Sequence, residues 1–203
     1  TNIIHCIIIK YGRCIFYLNH TVTFIEGKER LESVTIAQVD KNFNVISGSE
    51  KVIKCDTLLL SLGLIPENEL SKDAGIELDI VTEGPIVNQA FETSLSRVFA
   101  CGNCLQVYDT VDVLSVDAKA AGKNAAKAVL ENTQKDSRCI LVKAGKNVRH
   151  VVPQRINEAG NISFKLRVTE PKMTTSLRVK SNDKEIYKKK LPYANPANMI
   201  IFN

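Results

Sequence analysis

The first 60 residues alternate between apolar and polar positions in short runs. Between residues 14 and 40, apolar side chains recur at every second position, with polar residues between them. This is the period of half-buried β-strands, and Glu26-Gly27-Lys28 interrupts it as a turn would. We therefore predict a β-hairpin or meander over residues 14–40 and a further strand at Val52–Cys55. Leu58–Leu60 is a continuous apolar run, which predicts a strand buried on both faces.

Two helices and one more strand are predicted in the middle of the chain. Glu67–Ala74 has a short helical pattern, and Gly75 is a plausible C-cap. Arg97–Ala100 predicts a strand that stops at Cys101-Gly102-Asn103. The strongest helical pattern covers Leu114–Leu130, with apolar and small residues at three- and four-residue spacing and three lysines opposite. That inner face consists largely of alanine and glycine, which predicts close packing (Leu114, Ala118, Ala121, Gly122, Ala125, Ala128 and Val129).

The C-terminal part of the chain contains only strand-like patterns. After a polar linker at 132–137, short alternating runs occur at 140–142, 162–168, 176–179 and 186–190. Proline and glycine separate these runs, as is typical of turns between strands. We therefore predict a small all-β module from Cys139 onward.

Charge is distributed unevenly between these parts. Residues 1–133 contain 12 Lys/Arg and 17 Asp/Glu, whereas residues 134–203 contain 15 and 5. Such asymmetry favours separate modules and a basic surface that could meet an acidic partner. Because the few aromatic residues follow strand patterns, we predict a solvated basic β-surface and no nucleic-acid partner.

The composition is that of an ordinary globular protein. Apolar residues make up 44% of the 203 and charged residues 24%. No apolar run approaches the roughly 20 residues of a membrane span, so no membrane span is predicted. The N-terminal residues lack the basic start and the cleavage site of a signal peptide. The six cysteines do not resemble a secreted disulfide framework, and most are flanked by apolar residues, which suits buried thiols; we therefore predict a cytoplasmic location.

One segment carries a specific resemblance. Thr93–Asn103, which contains Phe-Ala-Cys-Gly-Asn, resembles the second flavin-contact motif of the pyridine nucleotide-disulfide oxidoreductase family. The resemblance implies that Gly102 and Asn103 contact FAD. It also implies that a helix begins beneath the isoalloxazine ring, at Val113, Leu114 and Ser115. Asn103 departs from the many family members that have aspartate, but its amide can still hydrogen-bond the cofactor.

Other segments are similar to the same family in order and spacing. Cys55–Asn68 resembles the return from the NAD(P) domain to the FAD domain, Gly84–Asn88 the strand before the flavin motif, and Asn19–Val39 the β-meander that closes the NAD(P) domain. Because it carries Phe-Ala-Cys-Gly-Asn, the chain resembles one subgroup of this family in particular. That subgroup comprises FAD-dependent oxidoreductases related to amine- and imino-acid dehydrogenase subunits and to proteins accompanying glycerol-3-phosphate dehydrogenase.

The resemblance implies a fold class and a division into parts. The fold class is α/β, an incomplete Rossmann-like FAD/NAD(P)-binding fold with a C-terminal all-β extension. Residues 1–60 would be the end of the NAD(P)-binding domain, residues 61–132 the end of the FAD-binding domain, and residues 138–203 the basic β-rich module.

The glycines limit what this chain can do alone. No two of the ten glycines are two residues apart, so the Gly-x-Gly-x-x-Gly turn that binds a dinucleotide is missing. We interpret the chain as a fragment of an FAD-dependent oxidoreductase that transfers hydride, with FAD and possibly NAD(P) as cofactors of the intact enzyme. A homo-oligomer or another subunit would supply the missing half. The alternative is a non-catalytic fragment that acts as an interaction or structural protein.

Two further chemistries are considered on cysteine and acidic residues. Cys101 and Cys104 form a Cys-x-x-Cys pair, which allows a weaker alternative, a thiol oxidoreductase. Zinc is disfavoured because no second ligand pair stands at suitable spacing. Asp109, Asp112 and Asp117 are explained by turns and by charge at a helix N-terminus, so no metal site is predicted. No acid, base or nucleophile is assigned.

Overall fold

The structure is a computed structural model that describes residues 5–10, 13–60, 63–131 and 139–203, with the backbone alone for residues 5–10 and 13. It divides into two compact units, residues 1–62 and residues 63–203. The predicted linker at 132–137 lies outside the described residues.

The first unit consists of antiparallel strands. β1 (His5–Lys10) pairs with β2 (Arg13–Leu18). β3 (His20–Glu26), β4 (Ser33–Gln38) and β5 (Lys51–Lys54) form a three-stranded sheet with β4 in the centre. The predicted meander and the strand at 52–55 are therefore confirmed.

The turn between β3 and β4 depends on Gly27. Its φ is +132°, and an added Cβ would lie 2.0 Å from the carbonyl oxygen of Arg30, so only glycine fits there. The turn places Val34 and Ile36 of the central strand in the core, at 5% and 1% exposure. Hydrophobic burial on β4 thus holds the sheet together.

The prediction of a strand at Leu58–Leu60 is wrong. These residues have no regular structure, and Leu59 is 88% exposed. A strand buried on both faces needs neighbouring strands and covering helices. In the described part of the first unit, every paired strand belongs to the two antiparallel sheets, and neither offers this run a partner.

The second unit begins with one short helix and a long irregular segment. α1 (Glu69–Asp73) has Ala74 as its C-cap, and Gly75 follows it with a left-handed φ of +73°, one position later than predicted for the C-cap. The N–H groups of Gly75 and Ile76 return to the carbonyls of Lys72 and Ser71, each over 2.9 Å. The predicted helix is therefore confirmed, with shorter bounds.

Residues 76–100 are irregular, which corrects two predictions. The expected strand at Arg97–Ala100 is reduced to a single bridge between Glu92 and Phe99, because Arg97 has a left-handed φ of +64°. The expected short strand at 84–88 is likewise a single bridge, between Leu78 and Pro85. Asn88 stabilises the irregular path, since its Oδ1 accepts hydrogen bonds from two backbone N–H groups.

α2 (Val111–Glu131) is the longest helix in the described chain. The predicted helix is confirmed, but it begins three residues before Leu114. Its buried face also differs from the prediction: Asp117 and Ala121 are buried, whereas Gly122 and Val129 are exposed. The three lysines of the opposite face are exposed, as predicted.

The C-terminal region consists of antiparallel strands, as predicted. β6 (Ile140–Leu141) pairs with β8 (Arg155–Ile156). β7 (Val148–Val152), β9 (Phe164–Val168) and β12 (Ile200–Phe202) form a sheet in the order β12-β9-β7. β10 (Lys172–Ser181) and β11 (Lys184–Ala194) form a long hairpin. Every ladder among the described residues is antiparallel.

The β12-β9-β7 sheet separates two apolar clusters. On one face, Leu166, Val168 and Phe202 pack against side chains of the β10–β11 hairpin. Val152, from β7, belongs instead to a second cluster with Val87, Ala100 and Leu105. This second cluster connects the strand-rich region to the irregular segment before α2.

Candidate functional site

The segment from Cys101 to Thr110, which we term the 101–110 loop, begins with a sharp change of direction. Cys101 is extended, whereas Gly102 has a φ of +78°, a conformation that glycine adopts without steric cost. Gly102–Cys104 then forms a 3₁₀ turn, in which the N–H of Leu105 bonds to the carbonyl of Gly102 over 3.0 Å. An added Cβ at Gly102 would meet no atom within 4 Å, so open space adjoins this backbone.

Asn103 is exposed at the centre of the turn. Its Oδ1 accepts a hydrogen bond from the backbone N–H of Tyr108 over 3.3 Å. This bond fixes the side chain against the end of the 101–110 loop. The amide nitrogen can donate to a polar ligand, as the resemblance implies for this position.

The start of α2 follows directly. The first intrahelical bond runs from the N–H of Leu114 to the carbonyl of Thr110. The N–H groups of residues 111–113 precede that bond and form the positive end of the helix. Of the residues predicted there, Val113 lies in the first turn, and Leu114 and Ser115 follow it. Because the helix starts at Val111, its positive end is closer to the glycine turn than the sequence predicted.

The buried side-chain amide of Asn68 anchors the 101–110 loop. Asn68 Nδ2 donates to the carbonyls of Glu83 and Cys104, over 2.9 and 2.8 Å. Leu105 is fully buried in the second apolar cluster. Gly84 makes close packing possible here, because its missing side chain leaves room for the backbone of Leu105.

A buried polar network lies at the other end of the 101–110 loop. The hydroxyl of Tyr108 donates to Asp117 Oδ2 over 2.5 Å, and Lys165 Nζ lies 2.9 Å from Asp117 Oδ1. Burial, and then the bond to Asp117, raises the pKa of Tyr108 well above its usual range. The phenol is therefore neutral and acts as a donor at physiological pH.

Sequence reasoning missed the roles of Tyr108 and Lys165 and assigned Asp117 to helix N-terminal charge. In the structure Asp117 is buried in the second turn of α2, on the same stripe as Ala121. Its spacing of four residues from Ala121, on the apolar face, was the signal that this carboxylate would need a buried partner. Asp112, in the first turn, is where helix N-terminal charge is expected.

The cysteine pair lacks the features of an activated dithiol. Cys104 is exposed, and its thiol donates to the carbonyl of Cys101 over 3.0 Å. Burial, and then the nearby Cys104 and Asp117, raises the pKa of the Cys101 thiol. A reactive thiol needs the opposite shift, so these contacts do not support the thiol oxidoreductase alternative.

No group of three or more His, Cys, Asp or Glu side chains within the described ranges is placed to hold a metal ion. Asp109, one of the acidic residues considered above, instead accepts from Arg167 and from the backbone N–H of Met199. His150, on β7, is buried, and burial together with Arg167 and Arg149 lowers its pKa to about 4. Among the described helices, none is both long and apolar enough to cross a bilayer.

Comparisons with known proteins agree with the family resemblance. The family model of the pyridine nucleotide-disulphide oxidoreductases matches residues 15–131, more than half of the chain. The assimilatory nitrate reductase electron transfer subunit of Bacillus subtilis is 27% identical over 175 residues, which cover 84% of this chain and 20% of that protein. The nitric oxide reductase FlRd-NAD(+) reductase of Klebsiella pneumoniae is 29% identical over 84 residues, which cover 41% of this chain and 21% of that protein.

The extent of these matches defines what they establish. The chain spans about a fifth of the length of these curated relatives. The family match covers the meander, the 101–110 loop and all of α2, so it includes every residue of the candidate site except those of the strand-rich region. The chain belongs to the pyridine nucleotide-disulphide oxidoreductase family.

Proposed function

We propose that this chain contributes the C-terminal half of an FAD site to a flavin-dependent oxidoreductase. Gly102 and Asn103 would contact the ribityl or pyrophosphate part of FAD, and Val113, Leu114 and Ser115 would lie at the helix turn beneath its ring. The flavin, when bound, supplies the hydride chemistry, with NAD(P) as the second cofactor of the intact enzyme. The names of the relatives, an electron transfer subunit and an NAD(+) reductase, support this class of reaction.

The observation that carries the proposal is the combination of open space and backbone donors. Gly102 presents bare backbone to open space, and nine residues later the positive end of α2 begins. Only glycine lets a cofactor approach the backbone so closely, and free N–H groups at a helix start favour negative charge. Asn103 adds an exposed amide between these two features. The residues present therefore fit the group that the family binds.

Flavin retention tests the proposal directly. The purified chain is mixed with FAD and desalted, and a retained absorption band at about 450 nm is expected. Gly102→Val should abolish retention, because its side chain fills the open space. Gly48→Val is the matched control: Gly48 also has a positive φ, +84°, and open space around it, but it lies in the first unit. Equal retention by both variants would exclude this half-site, and a colourless wild type would exclude FAD binding by this chain without a partner.

We also propose that the chain associates with a second copy or with a subunit that supplies the missing half. Large apolar side chains of the first unit are exposed by more than half, which is costly in water (Phe16, Leu18, Phe24, Val52 and Leu59). Light scattering at micromolar concentration should give a mass above that of a 22.5 kDa monomer. A monomeric mass would contradict self-association. Capture of FAD only in the presence of a partner chain would favour the second form of the proposal.

A further inference from the structure

β9 directs two basic side chains away from the apolar cluster of its sheet. Its register pairs Lys165 with Val152 and Arg167 with His150 of β7. Leu166 and Val168 alternate with them and lie in the cluster on the opposite face. Lys165 and Arg167 therefore point toward the side of the sheet that packs on the 101–110 loop and α2.

Lys165 reaches the 101–110 loop through Asp117. Its side chain is only 5% exposed and that of Asp117 only 6%, with 2.9 Å between Nζ and Oδ1. The second oxygen of Asp117 accepts from Tyr108, whose backbone N–H in turn donates to Asn103. A continuous series of polar contacts thus runs from β9 to the centre of the 3₁₀ turn.

Arg167 holds the same loop at a second point. Its Nη2 donates to the carbonyl of Val107 over 3.1 Å and pairs with Asp109, two residues before α2 begins. Its Nη1 donates to the carbonyl of Ala197 over 2.8 Å. The other oxygen of Asp109 accepts from the N–H of Met199 over 2.6 Å. The guanidinium therefore bridges the 101–110 loop and the turn that leads into β12.

We propose that Lys165 and Arg167 are positioning residues for the FAD half-site, so that the strand-rich C-terminal region is a working part of the site. Neither residue lies in the 101–110 loop or at the start of α2. They act through Asp117, Tyr108 and Asp109, which set where Asn103 and the positive end of α2 stand. The expected effect on FAD binding rests on the proposed function, whereas the expected effect on the 101–110 loop rests on the geometry alone.

Hydrogen exchange tests, without any flavin, whether these two side chains hold the 101–110 loop in place. Lys165→Met and Arg167→Met keep an unbranched, flexible stem and remove the charge and the hydrogen-bond donors of each side chain. We expect amide exchange in residues 101–116 to become about tenfold faster, with exchange in the β10–β11 hairpin unchanged. Lys188→Met and Arg178→Met are matched controls on exposed positions of that hairpin and should leave residues 101–116 as in the wild type.

A uniform rise in exchange would show that these side chains only stabilise the fold, and no change would show that they do not hold the loop. Either result overturns the inference. Tyr108→Phe covers the possibility that Lys165→Met does not fold, because it removes one hydroxyl and keeps the ring. It should give the same local pattern with a smaller increase, and unchanged exchange in 101–116 would count equally against the proposal.

FAD affinity, measured by quenching of flavin fluorescence, tests whether the two side chains also affect cofactor binding. We expect Lys165→Met and Arg167→Met each to weaken FAD binding at least about tenfold relative to their controls. If the wild type binds FAD and all four variants bind it equally, the inference is overturned and the proposed function stands. If the wild type binds FAD neither alone nor with a partner chain, the proposed function fails, and local exchange in residues 101–116 decides the positioning by itself.

Discussion

Gly84→Ala is the substitution whose effect the structure defines best. An added Cβ at Gly84 would lie 1.9 Å from the carbonyl oxygen and 2.6 Å from the carbonyl carbon of Leu105. Both are backbone atoms, so a change of rotamer cannot relieve the overlap. The Leu105 carbonyl would have to move by about 1.5 Å to reach ordinary contact distance. Gly84 and Leu105 are both buried, which leaves little room for that movement.

Two costs follow from this displacement. Overpacking a buried site costs about 1–3 kcal/mol. The movement also stretches the hydrogen bond from Asn68 to the neighbouring carbonyl of Cys104, now 2.8 Å long, which contributes about 1 kcal/mol. We therefore expect Gly84→Ala to lower the free energy of unfolding of the second unit by about 3 kcal/mol. FAD retention should fall as well, because the 101–110 loop moves with Leu105.

Urea denaturation followed by circular dichroism and tyrosine fluorescence measures this loss, since the chain contains no tryptophan. Gly160→Ala is the control: Gly160 has an ordinary φ, and nothing lies within 4 Å of the added Cβ. It should change the free energy of unfolding by less than about 0.5 kcal/mol. If Gly84→Ala is as stable as Gly160→Ala, the packing of residues 84 and 105 described above is wrong.

Three further predictions concern titratable groups. The pKa of His150 is lowered from 6.5 to about 4, so the unfolded chain binds a proton that the folded chain rejects. The contribution of this residue to stability is therefore present above pH 6.5 and is lost as the pH falls toward 4. His150→Leu should reduce the loss of unfolding free energy between pH 7 and 4.5 by about 2 kcal/mol in urea titrations, and an equal loss in the variant and the wild type would refute this. Tyr108→Phe should leave the alkaline rise in tyrosinate absorbance of the folded protein unaltered, since burial keeps this phenol neutral, and a smaller rise in the variant would refute this. Iodoacetamide should alkylate Cys104 before Cys101, because Cys104 is exposed and burial raises the pKa of Cys101; peptide mass spectrometry showing the reverse order would restore the dithiol hypothesis.

The elements that the sequence predicted correctly are those with local signals. The β3–β4 turn requires Gly27, and the end of α1 requires Gly75, because both backbones enter the left-handed region. α2 follows from its three- and four-residue spacing. In each case the cause of the structure lies within a few residues of the element itself.

The errors have the opposite origin. Leu58–Leu60 looks like a buried parallel strand because of its composition, but a strand forms only beside a partner, and the described sheets provide none for it. Arg97–Ala100 alternates like a strand, but Arg97 turns the chain, and Thr93 and Glu92 hold the backbone in that turn. A pattern of two to four residues therefore predicts burial more reliably than it predicts pairing.

The candidate site combines both kinds of information. Gly102 and Asn103 were predicted from a motif, and they lie in a 3₁₀ turn that precedes α2 in the chain. Lys165 and Arg167, which contact Asp117, Val107 and Asp109, lie about 60 residues further along and carry no motif. Lys165 occupies an inward position of a strand, where an alternating pattern predicts an apolar or small residue. Its charge is explained only by the buried Asp117 opposite.

Ion pairs between the two segments of the second unit also explain the uneven charge of the chain. The sequence suggested that an acidic first part and a basic last part are separate modules, yet residues 63–131 and 139–203 lie in one compact unit. Three ion pairs join acidic residues of the first segment to basic residues of the second: Glu77–Arg155, Asp109–Arg167 and Asp117–Lys165. Two of these pairs flank the start of α2, and their basic members are among the least exposed in the unit. Opposite charges on the two segments therefore meet where the strand-rich region packs on the 101–110 loop. Since a buried charge without its partner is strongly destabilising, any docking of the strand-rich region that separated Asp117 from Lys165 would be disfavoured.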